Sequence, residues 1–139
     1  MKPRIAVLGA GNGAHAYAGY LAMKGFDVSI IGIPEEEESR IKPIRERGGI
    51  EISGVITGFG KINSENASVD VGRGIKGLKI IFVVVPSYGH EYFAKELAKS
   101  VEDGQIIIIC PDNFGSLRFA KIFKNYNVKK NVKLAGTAV

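Results

Sequence analysis

The chain has 139 residues, of which 45% are hydrophobic and 24% are charged. This length allows one domain with a sizeable core, and this composition excludes an intrinsically disordered chain. The longest apolar runs, IIFVVVP and IIIIC, are far shorter than the roughly 20 residues of a membrane-spanning helix, and the N-terminal apolar run is too short for a signal peptide. We therefore expect a single domain, residues 1–139, without a membrane partner.

The formal net charge of +5 raises the question of nucleic-acid binding. Lysine and arginine are spread along the chain, and only the run KNYNVKKNVK concentrates them. Because zinc-finger, helix-turn-helix and RNA-binding signatures are all missing from the sequence, we expect a solvated basic surface and no nucleic-acid partner. The single cysteine, Cys110, ends an apolar run and is predicted to be a small buried residue, which favours a reducing cytoplasm. No metal site is predicted.

Apolar runs alternate with helical patterns, which predicts βαβ units in a mostly parallel sheet. The predicted elements of the first half are a strand at 4–8, a helix at 13–24 capped by Gly25, a strand at 27–33, a helical segment at 34–47 that Pro43 breaks or restarts, and a hairpin at 48–62. Those of the second half are a central strand at 79–86 buried on both faces, a helix at 88–100, a buried strand at 105–110, a helix at 116–126 and a last strand at 132–139. The sequence therefore predicts an α/β fold, a doubly wound three-layer Rossmann domain.

A glycine-rich turn joins the first strand to the first helix. Gly9, Gly11 and Ala14 match the pattern G-x-G-x-x-G/A, in which the first residue allows a tight turn, the second lets a pyrophosphate approach the backbone and the third lets helix and sheet pack closely. The free N–H groups of the helix N-terminus attract phosphate. In this context the turn predicts dinucleotide binding. A mononucleotide site and a turn that serves packing alone are the alternatives, and the lack of a P-loop lysine argues against a nucleoside triphosphate.

The residue that usually holds the adenosine ribose is missing from its expected position. An acid about 20 residues after the turn normally ends the second strand, but Gly32 stands there, followed by Ile33 and Pro34. Glu35 or a backbone group is one candidate partner for the ribose, and Arg40 is a candidate partner for a 2′-phosphate. The four acids at 35–38 repel a 2′-phosphate, although they also suit a solvated helix start, so we expect NAD or NADP to bind, with NAD slightly favoured.

Three stretches together resemble the N-terminal domain of the octopine/nopaline (opine) dehydrogenases. They are GAGNGAHAYAGYLAMKG, PIRERGGIEISGVITGF and VVVPSYGHEYFAKELAKSVEDGQIIIICPDNFGSLRFAKI, and they cover nearly the whole chain. The resemblance implies an oxidoreductase that condenses an amino acid with an α-keto acid and reduces the resulting imine with NADH or NADPH. It also implies a second, helical catalytic domain, which does not follow here, so we expect a piece of a longer chain, a truncated product or one half of a split enzyme whose other half is a separate subunit.

The resemblance also implies cofactor-binding positions. In the phosphate-binding turn they are Gly9, Gly11, Asn12, Gly13 and Ala14, and in the loops after the later strands they are Pro86, His90 and Asn113. Ser87, Ile33 and Glu35 are further predicted cofactor-binding positions, which the resemblance does not itself supply. The match is loose at CPDNFG, which includes Pro111 and Asn113. Tyr88 and Glu91 are weaker candidates for the same crevice, and His15 is expected to be a packing residue.

His90 is a candidate for a role near the nicotinamide or the substrate. Its alternatives are an exposed polar residue or a capping partner of Ser87 in the first turn of a helix. A free-standing nucleotide-sensing domain and a scaffold that has lost its ligand are the rival functions for the whole chain. Self-association is also expected, since apolar surface is exposed where the family carries its second domain.

Overall fold

The computed structural model describes residues 2–138, and a parallel sheet forms its middle layer. The strands of this sheet are β1 (Arg4–Leu8), β2 (Asp27–Ile31), β5 (Ala67–Ser68), β6 (Ile80–Val83), β7 (Ile106–Ile109) and β8 (Lys133–Gly136), and a separate antiparallel hairpin is formed by β3 (Gly49–Ile52) and β4 (Gly58–Lys61). The order across the sheet is β5-β2-β1-β6-β7-β8, and all five pairings are parallel. Because the chain winds outward from β1 in both directions, the predicted doubly wound fold is confirmed.

Helices cover both faces of this sheet, as a three-layer fold requires. The α-helices are α1 (Asn12–Met23), α2 (Lys42–Arg47), α3 (Val71–Ile75), α4 (His90–Ser100) and α5 (Gly115–Asn125). One apolar cluster joins α1, α2 and the hairpin to β1 and β2, and the other joins α3, α4 and α5 to β1, β6 and β7. Phe93, Ala94 and Leu97 form the buried stripe of α4, and Cys110 is buried as expected.

The first half of the chain follows the predicted order with one finer division. The segment at 34–47 is not one helix but a 3-10 turn (Pro34–Glu36), a π-helical turn (Glu37–Ile41) and α2, in which Pro43 occupies an N-terminal position. Proline suits that position because its missing N–H would have no helical partner there. Gly25 has φ of +88° and its N–H donates to the carbonyl of Ala22, which confirms the predicted cap of α1.

The prediction that the central strand is buried on both faces is wrong for one face. Ile81 and Val83 of β6 are fully buried, whereas Ile80 and Phe82 on the opposite face are only half-buried. Tyr17 of α1 contacts the Phe82 ring but leaves it only half-buried. An apolar groove of about 440 Å³ remains at this place. It is lined by Phe82 of β6, by Tyr17 and Leu21 of α1, and by Ile52 of the hairpin. Within residues 2–138, no helix has the length and apolar character needed to cross a bilayer.

Candidate functional site

A crevice lies where the carboxyl ends of β1, β2 and β6 meet. Leu8 is paired with Ile31 on one side and with Val83 on the other, so these three strands end at one level. The next residues stay tied to the sheet edge, since Gly9 N–H donates to Ile31 over 2.8 Å and Val84 N–H donates to Leu8 over 2.9 Å. The crevice above them has a volume of about 290 Å³. It occupies the point at which the strand order reverses, where ligands of open α/β sheets bind.

The glycines of the turn have separate physical roles. Gly9 has φ of +121°, and a Cβ at this position would overlap the carbonyl oxygen of Val84, so the fold itself requires glycine. Gly11 has an ordinary extended backbone, and a Cβ there would meet only Arg40 Nη1, at 3.7 Å. The fold therefore does not require glycine at position 11. The remaining reason for a glycine there is the open space that it leaves facing the crevice. Ala14 is fully buried in the interface between α1 and the sheet.

The N-terminus of α1 opens onto the same crevice. Gly11 is its N-cap, and within the described residues no side chain caps it and no acid occupies its first turn. Asn12 begins the helix and lines the crevice. His15 donates from Nδ1 to the Gly11 carbonyl over 3.0 Å, which steadies the turn from the helix side. Unpaired N–H groups and the positive end of the helix dipole therefore face a space that is open at Gly11.

A carboxylate lies at the end of β2 although the strand itself ends without an acid. Glu36, in the 3-10 turn, folds back so that Oε2 accepts the N–H of Ile33 over 3.1 Å. A Cβ on Gly32 would lie 2.9 Å from that same oxygen. Glu36 lines the crevice with Gly11 and Ile33, whereas Glu35 is exposed and does not line it. The side chain of Glu36 thus occupies the space that the usual acid at the strand end would fill.

Arg40 lies between Glu36 and the glycine turn. Its Nη1 donates to the carbonyl of Ala10 over 2.9 Å, and its Nε is 3.9 Å from Glu36 Oε1. The other acids of the run have different partners. Glu38 pairs with Lys42 at 3.0 Å and Glu37 pairs with Arg45. Of the acid run, Glu36 is therefore the member whose charge reaches the crevice.

The loops after β6 and β7 meet beside the crevice. Pro86 lines it. The hydroxyl of Ser87 accepts a hydrogen bond from Asn113 Nδ2 in the loop after β7 over 3.4 Å, which joins the two loops. The carbonyl of Ser87 accepts a second hydrogen bond from Arg118 Nη1 of α5 over 2.9 Å. Ser87 and Asn113 therefore lie together, but neither of them lines the crevice itself. Tyr88 is largely exposed at the rim.

His90 is neither exposed nor a cap of Ser87, so both of those alternatives are wrong. Its side chain is fully buried, meets Phe119 edge-on at 5.9 Å between ring centroids, and fills the space below Gly115. Neither ring nitrogen has a hydrogen-bond partner among the described residues. Burial lowers the pKa of the imidazole, the charge of Arg118 lowers it further, and Asp112 opposes the shift. A neutral, buried imidazole at this place does not line the crevice.

This fold and this crevice define a dinucleotide-binding Rossmann domain. Residues 4–125 match the family described as the N-terminus of NAD-dependent glycerol-3-phosphate dehydrogenase, and the chain belongs to that family. Its relatives include the opine dehydrogenase of Arthrobacter sp. (strain 1C), which is 38% identical over 120 residues, and the octopine dehydrogenase of Pecten maximus, which is 25% identical over 122 residues. The resemblance to opine dehydrogenases is thereby confirmed.

Solved structures show the same architecture. An octopine dehydrogenase described with NADH and pyruvate superposes with a TM-score of 0.76 at 21% identity, covering 96% of this chain and 35% of that one. The glycerol-3-phosphate dehydrogenase of Coxiella burnetii gives 0.67 at 19% identity, covering 96% of this chain and 39% of that one. The two curated relatives are matched over 86% and 83% of this chain but only 32% and 30% of their own length. The chain thus spans about a third of the proteins that it resembles.

The sequence pattern predicted Glu35 or a backbone group as the ribose partner and did not single out Glu36 for that role. The signal that distinguishes them is local. Glu36 stands three residues after Ile33, at the spacing that lets a carboxylate reach back to the first free N–H of a helical turn. Pro34 fixes the start of that turn, so the carboxylate of Glu36 returns to the strand end and that of Glu35 points elsewhere.

Proposed function

We propose that the chain binds NAD(H) in the crevice above β1, β2 and β6. The pyrophosphate lies against Gly11 and Asn12 at the N-terminus of α1, and the hydroxyls of the adenosine ribose donate to Glu36. Gly9, Gly13 and Ala14 support this arrangement by shaping and packing the turn, and Ile33 and Pro86 border it. The observation that carries the proposal is that a carboxylate at the end of β2 and the open face of Gly11 share one crevice.

The same carboxylate favours NAD over NADP. A 2′-phosphate placed at the ribose would bring nearly two negative charges against Glu36, and like charges about 4 Å apart repel by roughly 1 kcal/mol in water and more near a protein surface. Arg40 does not offset this repulsion, because its guanidinium already has Ala10 and Glu36 as partners. We therefore infer a preference for NAD of about tenfold, the ratio that corresponds to about 1.4 kcal/mol.

Titration calorimetry with NADH and NADPH tests both statements. In Glu36→Gln, which keeps the size of the side chain and removes its charge, we expect weaker NADH binding and a smaller ratio of NADH to NADPH affinity. Glu35→Gln is the matched control, because this neighbour is exposed and lies outside the crevice. Equal effects of the two substitutions, or an effect of Glu35→Gln alone, would contradict the assignment of the ribose to Glu36.

The wider activity that we infer is that of an opine-dehydrogenase-like oxidoreductase. In such a reaction an amino acid condenses with an α-keto acid, and the bound dinucleotide supplies the hydride that reduces the imine. Pro86, Ser87 and Asn113 support a place for the nicotinamide beside the loops after β6 and β7, because they lie together at the carboxyl edge of the sheet. The relatives are about three times as long, which supports a further catalytic domain or subunit as partner.

A nucleotide-sensing domain is the second candidate, favoured by the burial of His90. General acid–base catalysis needs a titratable group within hydrogen-bond reach of the reacting atoms. Within residues 2–138, neither imidazole lines the crevice, since His90 is buried and His15 lines the neighbouring cavity beside Asn12 and Arg47. Binding without turnover by this chain alone is consistent with either candidate, and an effect of NADH on a partner protein would favour sensing.

We also propose a contact surface at the groove beside Phe82 and a cytoplasmic location. The groove at Phe82 supports contact with a further domain, or self-association in its absence, because Tyr17 and Leu21 of α1 leave part of the sheet face uncovered. Sedimentation velocity of the isolated chain measures this directly. A cytoplasmic location is supported by Cys110, which is a free, buried thiol.

A further inference from the structure

One cation is attached to the glycine turn by bonds that the dinucleotide fingerprint does not include. Arg40 Nη1 donates to the carbonyl of Ala10, the residue between the two glycines, over 2.9 Å. The same nitrogen is 3.7 Å from the place where a Cβ of Gly11 would stand. Arg40 therefore touches the turn at the face that is kept free of side chains.

Glu36 sets the direction of this guanidinium. The Glu36 carboxylate lies 3.9 Å from Arg40 Nε. The two residues are one helical turn apart in sequence, so their side chains lie next to each other, and both line the crevice. Nη1, a terminal nitrogen, is fixed at the turn by its bond to Ala10, whereas Nε lies 3.9 Å from the Glu36 carboxylate at the end of β2. The side chain is 46% exposed, which leaves its remaining N–H groups free to take up an anion that enters the crevice.

We propose that Arg40 is a clamp for the pyrophosphate of the bound dinucleotide and does not read the 2′-position. This inference rests on the proposed function, because it assigns a role within the same crevice. The backbone N–H groups of α1 approach the pyrophosphate from below, and the guanidinium closes over it from the side of the acid run. A planar guanidinium suits this task, since it binds phosphate oxygens through two parallel, charge-assisted hydrogen bonds.

The two possible roles of Arg40 make different predictions for a set of ligands. A clamp acts on every ligand that carries the pyrophosphate, whereas a reader of the 2′-position acts on NADPH alone. In Arg40→Gln we therefore expect NADH, NADPH and ADP-ribose to lose affinity alike, by about tenfold or more, as the loss of one charge-assisted contact implies. Adenosine, which has no phosphate, should bind Arg40→Gln and the parent equally.

Arg47→Gln is the matched control. A second cavity lies next to the crevice, and it is lined by Asn12, His15, Arg40 and Arg47. Arg47 does not line the crevice itself, and it forms no ion pair among the described residues. Its loss removes the same charge from the same side of the molecule, so a general electrostatic effect would appear in both variants. Binding that is unchanged in Arg47→Gln and weakened in Arg40→Gln assigns the effect to the contact at the turn.

Each other outcome overturns the proposal. Loss of NADPH affinity alone would make Arg40 a reader of the 2′-phosphate, and unchanged binding of all four ligands would make it a structural residue. A parent chain that binds none of them would remove the proposed function and the clamp together. Because Arg40 also donates a hydrogen bond to the Ala10 carbonyl, Arg40→Lys is measured in addition to Arg40→Gln. Lysine keeps the charge without the planar fork, so we expect a folded variant with an intermediate, about threefold loss for the pyrophosphate ligands and none for adenosine.

Discussion

At the scale of single residues, Gly9 and Gly11 belong to the same motif but differ in what requires them. The backbone at Gly9 adopts φ of +121° and leaves no room for a Cβ beside Val84. We expect Gly9→Ala to reduce the free energy of unfolding by about 2–4 kcal/mol, from backbone strain and overlap together. Urea unfolding followed by circular dichroism measures this, and Gly11→Ala is the control, since its Cβ meets nothing closer than 3.7 Å. Equal loss of stability in both variants would contradict the division of roles.

His90 links stability to pH. Burial and Arg118 lower its pKa in the folded protein, so the unfolded chain binds more protons once the pH falls below the ordinary imidazole value of about 6.5. The stabilising effect of a neutral His90 is complete above this value and is lost progressively as the pH falls towards the folded pKa. We expect the midpoint of thermal unfolding to decrease between pH 7.5 and about pH 5 in the parent.

The variant His90→Leu tests this assignment. It keeps an apolar side chain next to Phe119 and removes the titrating ring, so the decrease over the same pH interval should become clearly smaller. His15→Asn is the control, because it removes the other histidine of the chain. A pH dependence that persists in His90→Leu and disappears in His15→Asn would show that the burial of His90 has no such effect.

At the scale of elements, the sequence predicted the helices and strands whose apolar residues recur with a clear helical or strand period. The alternation of β-branched runs with amphipathic stretches determines β1, β6, β7, α4 and α5, and the hairpin follows from its glycines and alternating residues. The short strand β5 and helix α3 were not predicted. They have two and five residues, which is too short for either period to repeat. Tertiary contacts with β2 and α4 define them instead.

The candidate site shows the same division. The glycine turn is recognisable because its residues are adjacent in sequence and each has a fixed task. The position of Glu36 depends on where a 3-10 turn and a π-helical turn direct the chain after Gly32, and the acids at 35–38 look alike in sequence. The burial of His90 depends on α5, which begins 25 residues later and has Gly115 against its ring. Such long-range packing leaves no periodic signal.

The hairpin and α1 pack unusually closely, which gives a prediction for elements. Gly60 of β4 lies against the backbone of Gly19 in α1, and a Cβ on Gly60 would overlap the Gly19 carbonyl. We expect Gly60→Ala to cost about 1–3 kcal/mol of stability, the usual range for overpacking, and to move the hairpin away from the helix. Urea unfolding measures the first effect. A stability equal to that of the parent would show that the hairpin is not fixed on α1.

At the scale of the whole molecule, the chain spans about a third of its relatives and contains their cofactor-binding fold. We expect the isolated chain to bind a dinucleotide without catalysing steady oxidation of NADH in the presence of an amino acid and a keto acid. The reason is that no imidazole of the described residues lines the crevice. Absorbance at the nicotinamide band follows this reaction. Turnover that depends on both substrates would contradict the expectation and would locate the catalytic groups within this chain.

We expect the bare turn at Gly11 to receive the pyrophosphate of NAD(H), and a titration with one substituted chain measures this. The parent and Gly11→Val are titrated with NADH by calorimetry after circular dichroism has shown both to be folded. Because a side chain at position 11 faces the crevice and not the protein core, we expect saturable binding by the parent and a loss of at least about tenfold in affinity, roughly 1.4 kcal/mol, in the variant. Equal affinities in two folded proteins would contradict it.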